Sequence, residues 1–581
     1  MANKNKNTDI FVFLILIFGL LSLLLRYGLP ASAQVKTLLN ITNFFVIAFY
    51  IGGLILRFYL THFRLIFFRN TLFDIFLLLF LVAIFIYSDI KPFLLDIHRA
   101  SAFATNLIFL RTLLSLIKIL GRIKKLNYFI KSVYRHPAQT IAISFLIVIV
   151  LGTIFLMMSF SSATDRSVPF IDALFTATSA VCVTGLITVN TATQYSIWGK
   201  IIIMLLIQIG GLGIMILSYF GAFVVGKRIS LEEKFALSFL LNEQDLQKIS
   251  SSIVKIIGFT LIIELTGAAL LFSDFRSIFG VGPKALFYSL FHAVSAFCNA
   301  GFSLFSDNFE SYRSNVSLNL TIAFLIITGG LSFAVLSDLL DNFWMNIKSK
   351  LFSQHIRRKR LSVNSKAVIA VTAILLVSGT LIIYAFEHRN LLLSFDLKTQ
   401  YLSAFFQSVT LRTAGFNTIA IGNLQTYTLL IMTLFMFIGG ASGSTAGGVK
   451  VNTISVIFAY IKSVVRGKEE VTLMKHALSK ELVNKSFLII ILALSTVFTV
   501  TTMLLITENF RLEQVLFEVV SAFGTVGLST GITPMLSFFG KFIIAVTMFI
   551  GRIGPMTLVI AFSQKSEMYK IRLPEGNILI G

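Results

Sequence analysis

Apolar residues occur in long runs along this chain, and short polar segments separate the runs. The hydrocarbon core of a bilayer is about 30 Å thick, and a helix needs about 20 apolar residues to cross it. The pattern predicts an all-α integral membrane protein. Its twelve predicted crossings are residues 10–29, 41–60, 72–88, 103–121, 138–160, 200–225, 252–273, 318–341, 366–386, 427–446, 486–507 and 540–563.

The composition agrees with a membrane protein, since 56% of the residues are hydrophobic, 13% are charged and the mean hydropathy is +0.88. The net charge of +23 raises the question of nucleic-acid binding. The basic residues, however, are concentrated in the alternate segments 118–135, 342–366 and 462–485. Basic loops of membrane proteins face the cytoplasm. This distribution predicts a cytoplasmic N-terminus and C-terminal tail and argues against a nucleic-acid partner.

The chain contains no pattern typical of an enzyme. Its two cysteines, Cys182 and Cys298, cannot form a disulfide framework and offer no CxxC metal-binding pattern, so we interpret them as small buried residues. The loops contain no nucleophile–base pair and no cluster of metal ligands. We therefore expect neither an enzymatic activity nor a cofactor held by this chain.

A short glycine motif recurs four times after residue 135, centred on Gly185, Gly301, Gly415 and Gly527. The glycines are 116, 114 and 112 residues apart (301−185, 415−301, 527−415). A run containing Phe and Ser precedes each of them. A second glycine signature follows each one inside the next apolar run, and the four signatures are Ile209-Gly210-Gly211, Thr328-Gly329-Gly330, Ile438-Gly439-Gly440 and Ile550-Gly551-Arg552.

Each repeat therefore reads as a span, a short helix, a glycine loop and a second span. The short helix, of about ten to twelve residues, cannot cross the bilayer. A loop at membrane depth is tolerated only where it is buried in protein or lines water. Four such loops can surround one axis, where their carbonyls would replace the hydration shell of a cation. Close helix packing is the alternative for a single glycine, but the fourfold repetition favours pore loops.

At these residues the sequence resembles the Trk/Ktr/HKT superfamily of potassium transporters, most closely the bacterial Trk and Ktr membrane subunits, over about residues 136–565. The resemblance implies four pseudo-symmetric span–pore helix–filter loop–span repeats around one pore. In sodium-preferring plant relatives a serine replaces the first filter glycine, so Gly185 implies the potassium-conducting variety. Backbone carbonyls would bind K+ at a filter formed by Val183, Thr184, Gly185, Asn299, Ala300, Gly301, Thr413, Ala414, Gly415, Thr525, Val526 and Gly527.

The third repeat contains a stretch too rich in Gly and Ser to form a continuous helix by itself. It does not match a phosphate-binding Walker loop, because Val449 follows Gly448. A tightly packed kink is one interpretation. The resemblance implies another: a gate below the filter, with Arg552 as its partner and as a positive barrier. The gate would consist of Gly439, Gly440, Ala441, Ser442, Gly443, Ser444, Thr445, Ala446, Gly447 and Gly448.

The repeats and the resemblance together predict five parts of the chain. The N-terminal part, residues 1–135, is predicted to be an extension with a bundle of about four transmembrane helices, more than usual members of the superfamily carry. Its first run is followed by Ala31-Ser32-Ala33 and resembles a cleavable signal peptide, but Arg26 favours a retained span. The pore repeats are residues 136–225, 226–343, 344–463 with the gate, and 464–581.

The resemblance implies potassium uptake across a bacterial plasma membrane by a multi-pass homodimer. It also implies a separate cytosolic ring that binds the regulatory nucleotide, and the basic segments 342–366 and 462–485 could dock it. A sodium-preferring or sodium-coupled symporter of the same fold remains the alternative. A secondary transporter with a midplane site is less favoured, because the halves of such transporters are commonly inverted.

Other polar residues in the apolar runs carry weaker predictions. Asp172 and Glu518 lie early in predicted short helices, where acids ordinarily cap the helix or compensate its dipole. Arg412 is predicted to support its short helix and not to meet the ion. Glu264 and His292 are predicted to be buried polar residues with satisfied hydrogen bonds.

Overall fold

The computed structural model describes residues 33–60, 137–164, 167–213, 249–351 and 361–562, together with positions 14, 15, 17–19 and 216. The predicted spans 72–88 and 103–121 lie outside the described residues. So do most of the predicted span 10–29 and the basic segment 118–135. Of the N-terminal extension, the structure describes one complete helix, α1 (Ala33–Leu60).

The described residues after position 136 are helical apart from their connections and one small hairpin. The same succession of a long helix, a short helix and further apolar helices occurs four times. The first group consists of α2 (Pro137–Met157), α3 (Phe170–Val181), α4 (Thr191–Gln194) and α5 (Ile197–Leu212), and the second of α6 (Ile249–Phe279), α7 (Pro283–Phe297), α8 (Val316–Gly330) and α9 (Phe333–Leu351).

The third and fourth groups follow the same order. Between them, β1 (Thr472–Leu473) and β2 (His476–Ala477) pair as an antiparallel hairpin, with Thr472 opposite Ala477. The third group consists of α10 (Val363–Glu387), α11 (Leu397–Thr410), α12 (Thr426–Phe437) and α13 (Val451–Val465), and the fourth of α14 (Lys480–Thr507), α15 (Leu512–Gly524), α16 (Phe538–Ile553) and α17 (Pro555–Phe562).

Polar side chains fix the starts of many of these helices. A serine or asparagine placed just before the helix accepts a hydrogen bond from a backbone N–H of the first turn, which would otherwise lack a partner. Seven of the described helices, α4, α5, α8, α9, α10, α14 and α16, are capped in this way, by Asn190, Ser196, Asn315, Ser332, Ser362, Ser479 and Ser537.

Four helices of the described part are long and apolar enough to cross a membrane. They are the first helices of the four groups, with qualifying stretches of 20, 29, 25 and 28 residues in α2, α6, α10 and α14. A bent pair, α8 with the first part of α9, would make a fifth span. The chain is therefore a multi-pass helical protein.

In three of the predicted spans the helix breaks, so none of these three is a single continuous helix. The predicted span 318–341 bends by 106° between α8 and α9, where the backbone of Leu331 is extended. The predicted span 427–446 ends as a helix at Phe437. The predicted span 540–563 is interrupted at Gly554, which has a φ of +91° and precedes Pro555. A residue before proline is disfavoured in the helical region, which explains the third break.

In all four groups the short helix is buried and the long helix is partly exposed. The short helices bury large aromatic side chains completely, as with Phe175, Phe291, Phe406 and Phe517. The long helices expose apolar side chains: Leu265 is 59% exposed, Ile374 is 64% exposed and Phe498 is 74% exposed. Exposed apolar surface of this extent suits contact with lipid. The short helices therefore form the centre of the protein and the long helices its lipid-facing wall.

The first and last groups meet, and an ion pair joins them. Lys541 of α16 lies 2.9 Å from the carboxylate of Asp172 in α3, and their side chains are 14% and 12% exposed. The two residues are 369 positions apart in the chain. Asp172 therefore pairs with a cation of the fourth group, a partner that its position early in a helix did not predict.

We expect Asp172→Asn to lower stability, because Lys541 would lose its counter-ion in a poorly solvated position. The loss should be about 2 kcal/mol, between the values typical of exposed and buried pairs. The measurement is the midpoint of thermal unfolding of the purified protein in detergent. The control is Glu481→Gln, which breaks the exposed pair of Glu481 with Lys485. Equal midpoints for the two variants would contradict this role of Asp172.

Candidate functional site

The loops that follow the four short helices have the same unusual backbone. In each loop the central glycine has a positive φ, of 92°, 68°, 77° and 90° in chain order. The residue two positions before each glycine also has a positive φ, although none of these four residues is glycine. Such values are uncommon outside glycine and mark a constrained loop. The four residues are Val183, Asn299, Thr413 and Thr525.

The four central glycines form a closed ring, which we call the glycine ring. A methyl group placed on Gly185 would lie 2.5 Å from the carbonyl oxygen of Ala300. The same substitution on Gly301 would place the new carbon 2.7 Å from Ala414 O, and on Gly415 2.7 Å from Val526 O. A methyl group on Gly527 would collide with Thr184 O. Because Thr184 belongs to the first loop, the four contacts close into a ring. Only glycine permits so close an approach of four backbones.

Serine side chains connect three of the loops to their short helices. In each case the serine stands six residues before the glycine. Ser179 Oγ accepts from Gly185 N at 3.0 Å, and Ser521 Oγ accepts from Gly527 N at 3.1 Å. Ser295 Oγ donates to Phe302 O at 2.8 Å, one residue after its glycine. No function was predicted for these serines, although their constant spacing from the glycines is a signal in the sequence that could have identified them.

The third loop lacks this anchor, because Val409 occupies the position six residues before Gly415. Its backbone also bonds differently. Ala414 N donates to the carbonyl of Thr410, four residues earlier. The matching amides Thr184 and Ala300 instead donate to carbonyls five residues earlier. The four loops thus share a conformation but not their support.

A cavity of about 250 Å³ opens on one side of the glycine ring. All four glycines line it, and the remaining lining residues come after the glycines in the sequence. Two acidic residues, Asp307 and Glu310, belong to this lining. Burial raises the pKa of the Glu310 carboxyl, and the hydrogen bond that it accepts from Asn417 partly opposes this shift. The cavity therefore joins the four ring glycines to a wall that contains two acidic residues.

The predicted gate residues 439–448, which we call the Gly/Ser segment, form a folded loop between α12 and α13. Ile438 and Val449 lie side by side in a parallel bridge. Gly439 N donates to Val449 O at 2.9 Å. Most of the segment is buried, whereas Ser442 and Gly443 at its tip are exposed.

The Gly/Ser segment is hydrogen-bonded to the second group of helices. Thr445 Oγ1 donates to the carbonyl oxygens of Gly329 at 2.9 Å and Phe297 at 3.3 Å. Ala441 N donates to Gly330 O at 3.1 Å. The Phe297 carbonyl lies at the end of α7, four residues before Gly301.

The other side of the segment faces the fourth loop. Gly447 approaches Thr525 so closely that a methyl group on Gly447 would collide with the threonine side chain. Around the second and fourth loops, the segment contacts Phe297 and Thr525, which precede their ring glycines, whereas the cavity is lined by the ring glycines and by residues that follow them. The cavity and the Gly/Ser segment therefore lie on opposite sides of the glycine ring.

Arg552 connects the Gly/Ser segment to a further part of the protein. It lies in α16, and its Nη1 donates to Thr445 O. Its Nη2 donates to Gly210 O near the end of α5, at 2.6 Å. One guanidinium group thus holds backbone carbonyls from the third and first groups. The sequence predicted the contact of Arg552 with the segment through the resemblance, but not its contact with Gly210.

The structure gives partners to several of the other polar residues. Glu518 accepts hydrogen bonds from Ser529, Thr530 and Thr533 in the connection after its own loop, so its role is not that of a helix cap. Within the described residues, Arg412 is buried and its Nε and Nη2 have no hydrogen-bond partner, so no hydrogen bond from these atoms supports the short helix.

Two buried residues have satisfied hydrogen bonds, as predicted. Glu264 accepts from Gln208 at 3.2 Å. His292 Nδ1 bonds to Tyr288 O at 2.8 Å, and its Nε2 accepts from Leu304 N at 3.2 Å.

Comparison with known proteins connects this geometry to a family. A model of the TrkH family, described as cation transport protein, matches residues 107–571. The Ktr system potassium uptake protein B of Bacillus subtilis (strain 168) is 39% identical over 454 residues, which cover 78% of this chain and 98% of that protein. The potassium/sodium uptake protein NtpJ of Enterococcus hirae is 37% identical over 452 residues, with 77% and 97% covered.

A solved structure shows the same fold. The potassium transporter TrkH from Vibrio parahaemolyticus superimposes with a TM-score of 0.55 at 18% identity, over 72% of this chain and 84% of that one. The relatives are transporters and not enzymes, which confirms the expectation from the loops. The resemblance seen in the sequence is confirmed as well: this chain belongs to the TrkH family of cation transport proteins.

Proposed function

We propose that this protein takes up potassium through the glycine ring, which acts as its selectivity filter. The observation that carries the proposal is the closed approach of Gly185, Gly301, Gly415 and Gly527 around one opening. The printed names of the relatives, potassium uptake protein and potassium/sodium uptake protein, support the choice of ion.

The proposed mechanism uses backbone carbonyls in place of water. A potassium ion leaving the cavity would exchange its hydration shell for the carbonyl oxygens of the filter residues 183–185, 299–301, 413–415 and 525–527. Each short helix ends just before its loop, so the negative end of its dipole, equivalent to about half an elementary charge, would face the ion. These groups stabilise a monovalent cation without a ring of carboxylates.

We also propose that the chain consists of four pore repeats after an N-terminal extension. The repeats are residues 136–225, 226–343, 344–463 and 464–581, and the extension of residues 1–135 would form a bundle of about four helices. The recurring order of helices and the shared backbone of the four loops support the repeats. The ion pair between Asp172 and Lys541 would close the ring of repeats between its first and last members.

The Gly/Ser segment is proposed as the gate. It lies on the side of the glycine ring opposite to the cavity, where it would obstruct an ion leaving the filter. Its hydrogen bonds to Gly329 and Phe297 and the bond from Arg552 to Thr445 support a closed position. The positive charge of Arg552 would add an electrostatic barrier to a cation.

The proposed setting is a bacterial plasma membrane, with both termini in the cytoplasm and the protein as a homodimer. Two relatives are named as components of a Ktr system, which supports a separate regulatory component. We propose that this component is a cytosolic ring that carries the regulatory nucleotide. The basic segments 342–366 and 462–485 are the proposed docking surfaces, and Lys462, Arg466 and Lys468 of the second segment are exposed.

Rubidium uptake tests the proposed function. The protein would be expressed in a strain that lacks its own potassium uptake, and uptake would be measured with and without sodium. Sodium-independent rubidium uptake is the expected result. Uptake that requires sodium would favour the sodium-coupled alternative, and the printed name of the Enterococcus relative includes sodium as well as potassium. Absence of rubidium uptake would remove the assignment of potassium.

We expect Gly185→Ser to raise the permeability of sodium relative to potassium. The new side chain would meet Ala300 O and displace carbonyls that the larger ion needs. Reversal potentials of the purified protein in a bilayer measure the ratio. Gly531→Ser is the matched control, because Gly531 also has a positive φ, of 96°, and lines the cavity, but has open space around it. An unchanged ratio in Gly185→Ser would contradict a filter role for the first loop.

We expect Arg552→Gln to increase the leak of cations. The gate would lose a charged hydrogen-bond donor, and the electrostatic barrier would lose its positive charge. Hydrogen bonds to charged groups contribute about 1.5–3 kcal/mol, so the open fraction should rise roughly tenfold or more. Ion flux from liposomes measures the leak. Arg511→Gln is the control, because the side chain of Arg511 is 82% exposed.

Deletion of residues 439–448 should increase the leak further. A folded deletion variant with unchanged or lower flux would refute the gate.

A further inference from the structure

The third loop of the glycine ring is supported from outside its own group of helices. Its short helix provides no serine at the position where Ser179, Ser295 and Ser521 anchor the other loops. Asn308, in the connection after the second loop, reaches across instead. Its Nδ2 donates to the carbonyl oxygen of Gly415 at 3.4 Å. The contact therefore joins a side chain of the second group to a ring glycine of the third.

Three further contacts hold Asn308 in this place. The next residue, Phe309, donates its backbone N–H to Asn417 O at 3.1 Å. Asn417 Nδ2 donates to Glu310 Oε1 at 2.7 Å. The rings of Phe309 and Phe416 are 5.4 Å apart, a distance typical of packed aromatic pairs. Residues 308–310 thus pack against residues 416–417, which directly follow Gly415. These contacts fix the position of the Asn308 amide.

This contact makes one carbonyl of the glycine ring different from the other three. Across the part of the chain that the structure describes, no side chain donates to the carbonyl oxygen of Gly185, Gly301 or Gly527. An N–H donor occupies part of the electron density that a carbonyl would offer to an ion. It also restrains the direction in which the carbonyl points.

We propose that Asn308 is a positioning residue that orients the Gly415 carbonyl and so contributes to the discrimination between potassium and sodium. The inference rests on the proposed function of the glycine ring. A restrained carbonyl cannot move inwards to surround the smaller sodium ion, whereas a free carbonyl can. The third loop depends most on this restraint, since it has Val409 where the others have serine.

The backbone of Asn308 permits two informative substitutions. Its φ is +56°, a value that glycine adopts freely and that Asn and Asp tolerate better than most residues. Asn308→Gly removes the side chain without straining this backbone. Asn308→Asp keeps the shape of the side chain but has no N–H to donate at neutral pH. The two variants share only the loss of the donor.

The test is the permeability ratio of sodium to potassium, measured by reversal potentials of the full-length protein in a bilayer. Both Asn308→Gly and Asn308→Asp should raise the ratio roughly three- to tenfold, the range expected for the loss of one hydrogen bond. Asn190→Gly is the control. Asn190 also belongs to the cavity wall and also donates across groups at 3.4 Å, but its acceptor is the loop carbonyl of Ser306. Its variant should keep the ratio of the unmodified protein.

The outcomes separate this inference from the proposed function. A change of total flux with an unchanged ratio in both Asn308 variants would mean a merely structural role and would overturn the inference. If Gly185→Ser changes the ratio while both Asn308 variants keep it, the filter stands and the role of Asn308 is refuted. If neither the unmodified protein nor Gly185→Ser shows any preference between the ions, the filter proposal fails and the inference fails with it.

Discussion

The structure depends on one constraint: four stretches of backbone meet inside a multi-pass helical protein, where lipid cannot satisfy their polar groups. Such a meeting is possible only if the residues at the point of contact have no side chains and if protein groups supply the missing hydrogen bonds. The glycine ring fulfils the first condition. The short helices with their serines fulfil the second. The long lipid-facing helices then serve to enclose this centre.

The sequence was sufficient to locate the centre but not to describe its support. The regular spacing of Gly185, Gly301, Gly415 and Gly527 predicted the four loops, because a constant distance along the chain reflects a repeated unit of structure. The alternation of basic and non-basic segments predicted that both termini lie in the cytoplasm, and this orientation stays a prediction. The second spans were harder to predict, since apolar composition alone does not show that α8 and α9 are bent by 106°.

The contacts that were missed join residues far apart in the chain. Arg552 and Gly210 are 342 positions apart, and Asp172 and Lys541 are 369 apart. No local pattern predicts such pairs, because they arise from the order in which the four groups are arranged in space. The bond from Asn308 to Gly415 is of the same kind. The predicted spans 72–88 and 103–121 lie outside the described residues and stay predictions.

The hydrogen bonds of Thr445 have a consequence for how the proposed gate would open. Its hydroxyl donates hydrogen bonds to the carbonyl oxygens of Phe297 and Gly329, which are both buried in a poorly hydrated interior. If the Gly/Ser segment moved away, these oxygens would lose their donor, and a bare carbonyl in such surroundings costs several kcal/mol or so. Water is the available replacement. Displacement of the segment and wetting of the passage would then be a single thermodynamic event, and solutes that lower water activity should favour the shut state.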